Sequence, residues 1–314
     1  MRIGILTSGG DCPGINATIR GVCKTAISHY GMEVYGIRSG FRGLLDNDII
    51  PLDENSLTGL LSMGGTILGT SREKPFKNRA NVPVSEDKPA MMLKTIRERK
   101  LDCVVCIGGN GTQKTAAKLA ATGVNVVTVP KTIDNDVWGT DISFGFDSAV
   151  SIATEAIDRL HSTASAHQRV MVIEVMGHKA GWIALYSGMA GGGDIILLPE
   201  IPFDIHRIGD TIINRLKKGK PYSIVVVAEG IPTLGGKKAA QYIAEEIEYE
   251  TGFETRETVL GYIQRGGGPT AFDRNLATRM GGHATELIAS GQFGRMVSLR
   301  GSEITSVPLS EVAG

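Results

Sequence analysis

The sequence predicts an α/β protein made of two doubly wound, Rossmann-like domains with mainly parallel sheets. Three observations carry this. Short β-branched runs alternate with longer helical segments, the mark of strand–helix–strand units. Glycine or charged clusters follow the strand runs, where open parallel sheets bind ligands. The alternation also restarts past Gly139, as expected for a second sheet.

R-I-G-I-L (2–6) is the first strand, followed by T-S-G-G-D-C-P-G and a helix over about 15–30. E-V-Y-G-I (33–37) is a second strand. A helix over 89–100 leads into the strand L-D-C-V-V-C-I, and V-N-V-V-T-V (124–129) follows the helix that Thr112 opens. A helix over about 147–164 then precedes V-M-V-I-E-V (170–175) and a helix over about 179–190. Further strands fall at 195–198, 222–228 and 257–261. The expected domains are 1–138, with a return segment of about 257–305, and 139–256. No low-complexity linker separates them, and no closing helix is expected after S-V-P-L-S-E-V-A-G.

At 314 residues the chain can hold two cores, and 42% apolar with 21% charged residues is ordinary for a soluble globular protein. Lys+Arg and Asp+Glu both total 33, so charge favours neither nucleic acid nor an acidic membrane as partner. No apolar run approaches the roughly 18–20 residues of a membrane span. No basic-then-apolar leader is expected ahead of the first strand, so the expected location is cytoplasmic. Cys103 and Cys106 spell C-V-V-C, but inside a strand residues three apart face opposite sides. They are read, with Cys12 and Cys23, as reduced and structural. The six histidines show no metal-ligand spacing, which argues against zinc.

Several stretches carry chemistry. L-T-S-G-G-D-C-P-G-I-N (6–16) and I-G-G-N-G-T (107–112) each run from strand through glycine turn to helix start, a cradle for phosphate. Neither is a P-loop or a dinucleotide fingerprint, and the first alone could be a structural turn. P-K-T-I-D-N-D-V-W-G-T-D (130–141) packs Asp134 and Asp136 two apart behind Lys131 and Thr132. Carboxylates so close repel unless they hold a metal or share proton work; turn capping is the alternative. Arg72, Arg169, Arg256 and Arg265 lie near strand ends, where guanidinium forks can grip phosphate. E-V-M-G-H-K-A-G-W (174–182) adds another glycine turn, with His178.

Together with S-A-H-Q-R, V-A-E-G and T-V-L-G-Y-I-Q-R-G-G-G-P-T-A-F-D-R, these motifs closely resemble the 6-phosphofructokinase family (the phosphofructokinase A family), in its order and spacing, from residue 2 to about 300. The resemblance implies a glycolytic phosphotransferase that phosphorylates the 1-hydroxyl of fructose 6-phosphate. It makes 1–138 the nucleotide-phosphate domain and 139–256 the sugar-phosphate domain. It implies Asp134 as general base, framed by Thr132, Ile133 and Asp136, with Asp136 also near magnesium. It assigns Met176, Gly177, His178 and Glu229 to the sugar, and Arg169, Arg256, Tyr262, Gln264 and Arg265 to its phosphate. Arg169 is also carried over as a catalytic residue. Gly10, Arg72, Glu73, Gly109, Asn110, Gly111 and Thr112 fall on the nucleotide side. In the family the arginines of S-A-H-Q-R and T-R-E come from a neighbouring subunit, which implies a homo-oligomer, expected as a tetramer.

Four positions depart from the family pattern. Asn110 stands for a magnesium-holding aspartate, which predicts weakened metal binding rather than lost catalysis. Thr115 stands for a glycine, and His178 and Tyr262 for an arginine and a histidine near the sugar phosphate. For the donor, Gly111 leaves open a space that an aspartate fills in pyrophosphate-using members, which favours ATP. Lys131 points towards pyrophosphate, which stays the alternative, and a non-catalytic sugar-phosphate-binding paralogue is the third reading. An effector site of the bacterial type matches in part, through Arg20, Lys218 and Lys220, with Lys24, His161, Asp194, Pro221 and Tyr222 departing from it.

Overall fold

The structure is a computed structural model and describes residues 1–76 and 87–313. In chain order the elements are β1 (Arg2–Ser8), α1 (Ile15–Tyr30), β2 (Glu33–Ile37), α2 (Phe41–Asp46), β3 (Ile49–Leu52), α3 (Lys88–Glu98), β4 (Cys103–Gly108), α4 (Asn110–Ala120) and β5 (Val126–Pro130). There follow α5 (Phe146–His167), β6 (Val170–Val175), α6 (Trp182–Ala190), β7 (Ile195–Leu197), α7 (Ile205–Lys217), β8 (Ser223–Ala228), α8 (Ala239–Thr251) and β9 (Thr255–Val259). The last are α9 (Ala271–Ala289), β10 (Arg295–Arg300), β11 (Glu303–Pro308) and α10 (Leu309–Val312).

One compact unit comprises Met1–Thr132, Asp136–Gly145 and Gly266–Gly314. Its seven-stranded sheet has the order β11-β10-β5-β4-β1-β2-β3. The central strands are parallel, and β4 is buried along its whole length, as an apolar run covered by helices on both faces should be. The edge strands β3 and β11 are antiparallel. Strand order turns at β1, which has β2 on one side and β4 on the other, so the loops after β1 and β4 flank the switch point where such sheets bind ligands. Helices start where the sequence supplies caps. Asp87 accepts from the Ala90 amide at 3.2 Å ahead of α3, and Thr270 accepts from the Asp273 amide at 3.3 Å ahead of α9.

The other unit comprises Ile133–Asn135 and Phe146–Arg265. Its four parallel strands have the order β7-β8-β6-β9, with β6 and β8 fully buried. β9 pairs with β6, so the chain leaves this unit at Gly266, later than the return near 257 that the sequence suggested. The sequence reading also passed over β3, β10 and β11 and gave no closing helix, whereas α10 follows β11 directly.

All four cysteines are free and buried. Burial pushes the Cys23 thiol up to about 12 and raises Cys103 and Cys106 as well, so none of these three is poised as a thiolate. Among the described residues no helix is long and apolar enough to cross a membrane.

Candidate active site

In the seven-stranded unit the two glycine turns are tied together through their carbonyls. Thr112 Oγ1 donates to the Ser8 carbonyl at 3.3 Å, and Gln113 Nε2 to the Gly108 carbonyl at 2.8 Å. The buried Lys131 donates its Nζ to the Gly10 carbonyl and its amide to the Gly108 carbonyl at 3.1 Å. A side chain at Gly108 would put its Cβ 2.2 Å from Thr112 Oγ1, so only glycine lets α4 start this close to β4. The Thr112 amide is taken by the Gly109 carbonyl at 2.9 Å, so at the start of α4 the amides of Asn110 and Gly111 are those turned towards an anion.

The segment carrying Arg72 and Glu73 is stitched to the same strand end. Thr7 Oγ1 donates to Gly69 O at 2.6 Å, Ser8 Oγ to Ser71 O at 3.2 Å, and the Gly9 amide to Ser71 O at 3.0 Å. Arg72, Glu73, Arg42, Lys74 and Lys88 line a cavity of about 560 Å³. Lys88 bonds Glu73 at 2.9 Å and holds that carboxyl below its ordinary value. Four of its eight described lining residues are cationic and one is acidic, a net positive lining suited to a polyphosphate.

Asn110, the first residue of α4, donates Nδ2 to Asp136 Oδ2 at 2.9 Å and to the Asp136 carbonyl at 3.3 Å. Asn110 thus turns its amide nitrogen to the exposed Asp136 carboxylate, and a flip of the amide would offer its oxygen beside that carboxylate, an all-oxygen pair of the kind magnesium takes. Among the described residues no group of three His, Cys, Asp or Glu side chains could hold a metal. The pair fits an ion that takes most of its ligands from a bound polyphosphate and water. Gly111 follows, where a Cβ would meet nothing within 4 Å. Thr115 turns its hydroxyl back to the Gly111 carbonyl at 2.9 Å, within α4.

Past β5, Thr132 is buried and its carbonyl accepts from Ser143 Oγ at 2.9 Å. Asn135 is left-handed, with φ 51, a conformation asparagine tolerates. The chain therefore bends sharply between Asp134 and Asp136, which a plain extension of β5 would not do.

In the four-stranded unit three strand ends converge. The Met176 amide, just past β6, donates to Gln264 Oε1 at 2.8 Å, and Gln264 is fully buried. Glu229, just past β8, accepts from the amides of Gly177 at 3.1 Å and His178 at 2.7 Å. Gly177 has φ 150, and a Cβ there would lie 2.3 Å from the Ala180 carbonyl. Met176, Glu229 and Tyr262 line a cavity of about 380 Å³. Tyr262 is 76% exposed, so its ring is available to a ligand. Arg265 closes the same 3₁₀ turn, Gly261–Arg265.

Arg169 and Arg256 are not part of this convergence. Arg169 precedes β6, and Arg256 pairs with Met171 at the beginning of that strand, whereas Met176 follows its end. At about 3.3 Å rise, Arg169, seven residues before Met176, lies about 23 Å and Arg256, level with Met171, about 17 Å from the Met176 end of the cavity, beyond the reach of an arginine. The two guanidinium groups instead share one carboxylate: Arg169 Nε bonds Glu254 Oε2 at 2.6 Å, and Arg256 bonds Glu254 Oε1. Arg169 first, and then Arg256, hold the Glu254 carboxyl below its ordinary value.

The cavity also has lining that the sequence reading overlooked, namely Thr233, Lys237 and Lys238. The signal was present as G-G-K-K at the start of a helix. At the partial effector match, Asp194 bonds Arg215 at 2.6 Å, and His161 contacts Tyr222 OH at 3.2 Å and the Gly191 carbonyl at 2.7 Å.

Phosphate-type glycine turns at a sheet's switch point, an acidic turn after β5 and a carboxylate-lined polar cavity define a phosphotransferase-type α/β protein. The family model described as Phosphofructokinase matches residues 2–288, and the chain belongs to that family. An "ATP-dependent 6-phosphofructokinase 3" of Bacteroides thetaiotaomicron is 79% identical over 314 residues, covering all of this chain and 93% of the relative. A "Pyrophosphate--fructose 6-phosphate 1-phosphotransferase" of Streptomyces coelicolor is 46% identical over 329 residues, covering 99% of this chain and 94% of the relative. The T-state crystal structure of Pichia pastoris phosphofructokinase superposes with a TM-score of 0.91 at 32% identity, over 99% of this chain and 35% of that much longer one. The resemblance read from the motifs and the α/β fold class are thus borne out.

Proposed function

We propose that this chain is an ATP-dependent 6-phosphofructokinase that transfers the terminal phosphoryl group of ATP to the 1-hydroxyl of fructose 6-phosphate, giving fructose 1,6-bisphosphate. The observation that carries the reading is the acidic turn after β5, where buried Thr132 and left-handed Asn135 fix the chain around Asp134 and Asp136. Asp134 accepts the proton of the attacking 1-hydroxyl. Positioning and a base are what phosphoryl transfer asks of a protein, since the transition state needs little covalent help.

The first-turn amides of α4, with Gly10 and Thr112, cradle the donor's phosphates, and Arg72 adds charge from the stitched loop. Asn110 and Asp136 are the residues that would hold magnesium, which when bound neutralises charge on the donor's phosphates. Glu229, its other partners being backbone amides, orients sugar hydroxyls, and Met176 and Gly177 form the wall beside it. Tyr262 and Arg265 hold the sugar phosphate.

ATP is favoured by the open space at Gly111, into which an α-phosphate can extend. Lys131 supports the pyrophosphate reading because pyrophosphate-using members of the family carry lysine there, but its bond to the Gly10 carbonyl gives it a part in either version: it ties the two glycine turns together. Arg169 and Arg256, paired on Glu254 at the opposite end of β6, serve the sugar phosphate of a neighbouring copy, which favours a homo-oligomer, in the family's manner a tetramer. The cytoplasm is the expected location.

Replacement of the base tests the reading. Asp134→Ser should lower kcat by roughly 10²–10⁴-fold while fructose 6-phosphate still binds within a few-fold of the parent. Unchanged turnover would refute the assignment.

A further inference from the structure

Resting on the phosphofructokinase reading, we infer that Lys238 is a substrate-binding cation of the sugar cavity and helps select the phosphorylated over the neutral sugar. The cavity that holds Met176, Glu229 and Tyr262 contains two carboxylates and two lysines among its described lining residues. Both carboxylates are turned to backbone: Glu229 to the amides of Gly177 and His178, and the buried Glu174 to the Ala240 amide at 2.8 Å. Lys237 is neutralised by Glu245, one turn and more along α8. Lys238 is exposed, and among the described residues it has neither an ion pair nor a side-chain hydrogen bond.

Its place in the fold favours the same role. Lys238 is the N-cap residue of α8, and an ammonium, having no acceptor, cannot cap a helix, so it stays available to a ligand. The Ala240 amide behind it is already taken by Glu174, so the attraction on a phosphate dianion comes from the ammonium itself. The local need is visible too. His178 is exposed and left-handed, and Tyr262 is a neutral phenol, so Arg265 is left to carry the permanent positive charge of the motif residues here. Arg169 and Arg256 lie about 23 and 17 Å from Met176, towards the start of β6, and share Glu254. Lys238 is a second cation, in addition to Arg265, that this subunit brings to the cavity without breaking an existing pair.

The test is steady-state kinetics of the intact enzyme with Lys238→Met and Lys238→Arg, at saturating Mg·ATP and over a series of ionic strengths. Because Lys238 is exposed and makes no cap bond, both variants should fold, which their melting temperatures verify. Lys238→Met should raise KM for fructose 6-phosphate by roughly tenfold, the worth of one charge-assisted contact, with kcat and the KM for ATP unchanged. Its KM should also depend less on salt than that of the parent, and Lys238→Arg should restore most of the loss. A KM for fructose 6-phosphate unaltered by Lys238→Met would overturn the inference while leaving the enzyme reading intact. A parent protein that neither binds nor phosphorylates fructose 6-phosphate would overturn both.

Discussion

The substitution Asn110→Asp tests the proposal that Asn110 and Asp136 hold magnesium. In the parent protein the Asn110 amide donates to the Asp136 carboxylate at 2.9 Å and to its carbonyl at 3.3 Å. An aspartate loses both donated bonds, about 1.5–3 kcal/mol for a charged acceptor. It also sets a second negative charge against Asp136 at a parent spacing of 2.9 Å, adding roughly 1.4 kcal/mol even with fully water-like screening. The N-terminus of α4 returns about 0.3–1 kcal/mol by favouring the new anion. The net expectation in metal-free buffer is a destabilised turn and a melting temperature lower by several degrees, at about 2–4 °C per kcal/mol. Magnesium reverses the sign, because a dication placed between the carboxylates removes the repulsion and adds attraction. The assay is fructose 6-phosphate turnover against free magnesium at fixed ATP, with melting curves in EDTA and in excess magnesium. The half-saturating magnesium concentration should fall by about tenfold, the equivalent of about 1.4 kcal/mol. An unchanged magnesium midpoint, or a melting temperature equally low with and without magnesium, would refute the assignment of Asn110 and Asp136 to the metal.

Three further outcomes are expected. Gly111→Asp should fold normally, since its Cβ meets nothing within 4 Å, yet lower turnover with ATP by more than about tenfold through a carboxylate placed in the donor's path; parallel assays with ATP and pyrophosphate measure it. Gly177→Ala should destabilise the protein by about 2–3 kcal/mol in urea denaturation, because φ 150 and a 2.3 Å approach to Ala180 O both exclude a side chain, and should raise KM for fructose 6-phosphate by disturbing Glu229. Glu73 has its folded-state pKa depressed below 4.5 by Lys88, so its contribution to stability is full above the unfolded value and disappears as pH falls through the folded one. The melting-temperature gap between the parent and Lys88→Met should therefore shrink from pH 6 to pH 3.

The central parallel strands β1, β4, β5, β6 and β8 were legible because each is an apolar, β-branched run buried on both faces, and because glycines cluster where β1, β4 and β6 end. The antiparallel edge strands were not. β3 is I-I-P-L with a proline, and β11 reads E-I-T-S-V-P, half-exposed and polar; both gain strand character from their antiparallel neighbours rather than from their own pattern. α9 was passed over for a similar reason, since A-F-D-R-N-L-A-T-R-M-G-G-H carries two glycines and little amphipathic contrast.

Within the site, the glycine turns and T-I-D-N-D were readable because the chemistry lies in contiguous residues. Lys237 and Lys238 were not, since their relevance depends on β6, β8 and the 3₁₀ turn at 261–265 reaching one cavity. The separation of Arg169 and Arg256 from Glu229 is likewise set by strand direction. It becomes visible only once β6 is known to run between them.

The most direct test of the central claim is turnover of fructose 6-phosphate by the parent protein with Mg·ATP and, separately, with Mg·pyrophosphate, at several magnesium concentrations. The account predicts turnover with ATP, rising steeply with magnesium, and little or none with pyrophosphate. Turnover with pyrophosphate alone would make the buried Lys131, rather than the open position at Gly111, the residue that sets the donor, and would contradict the account.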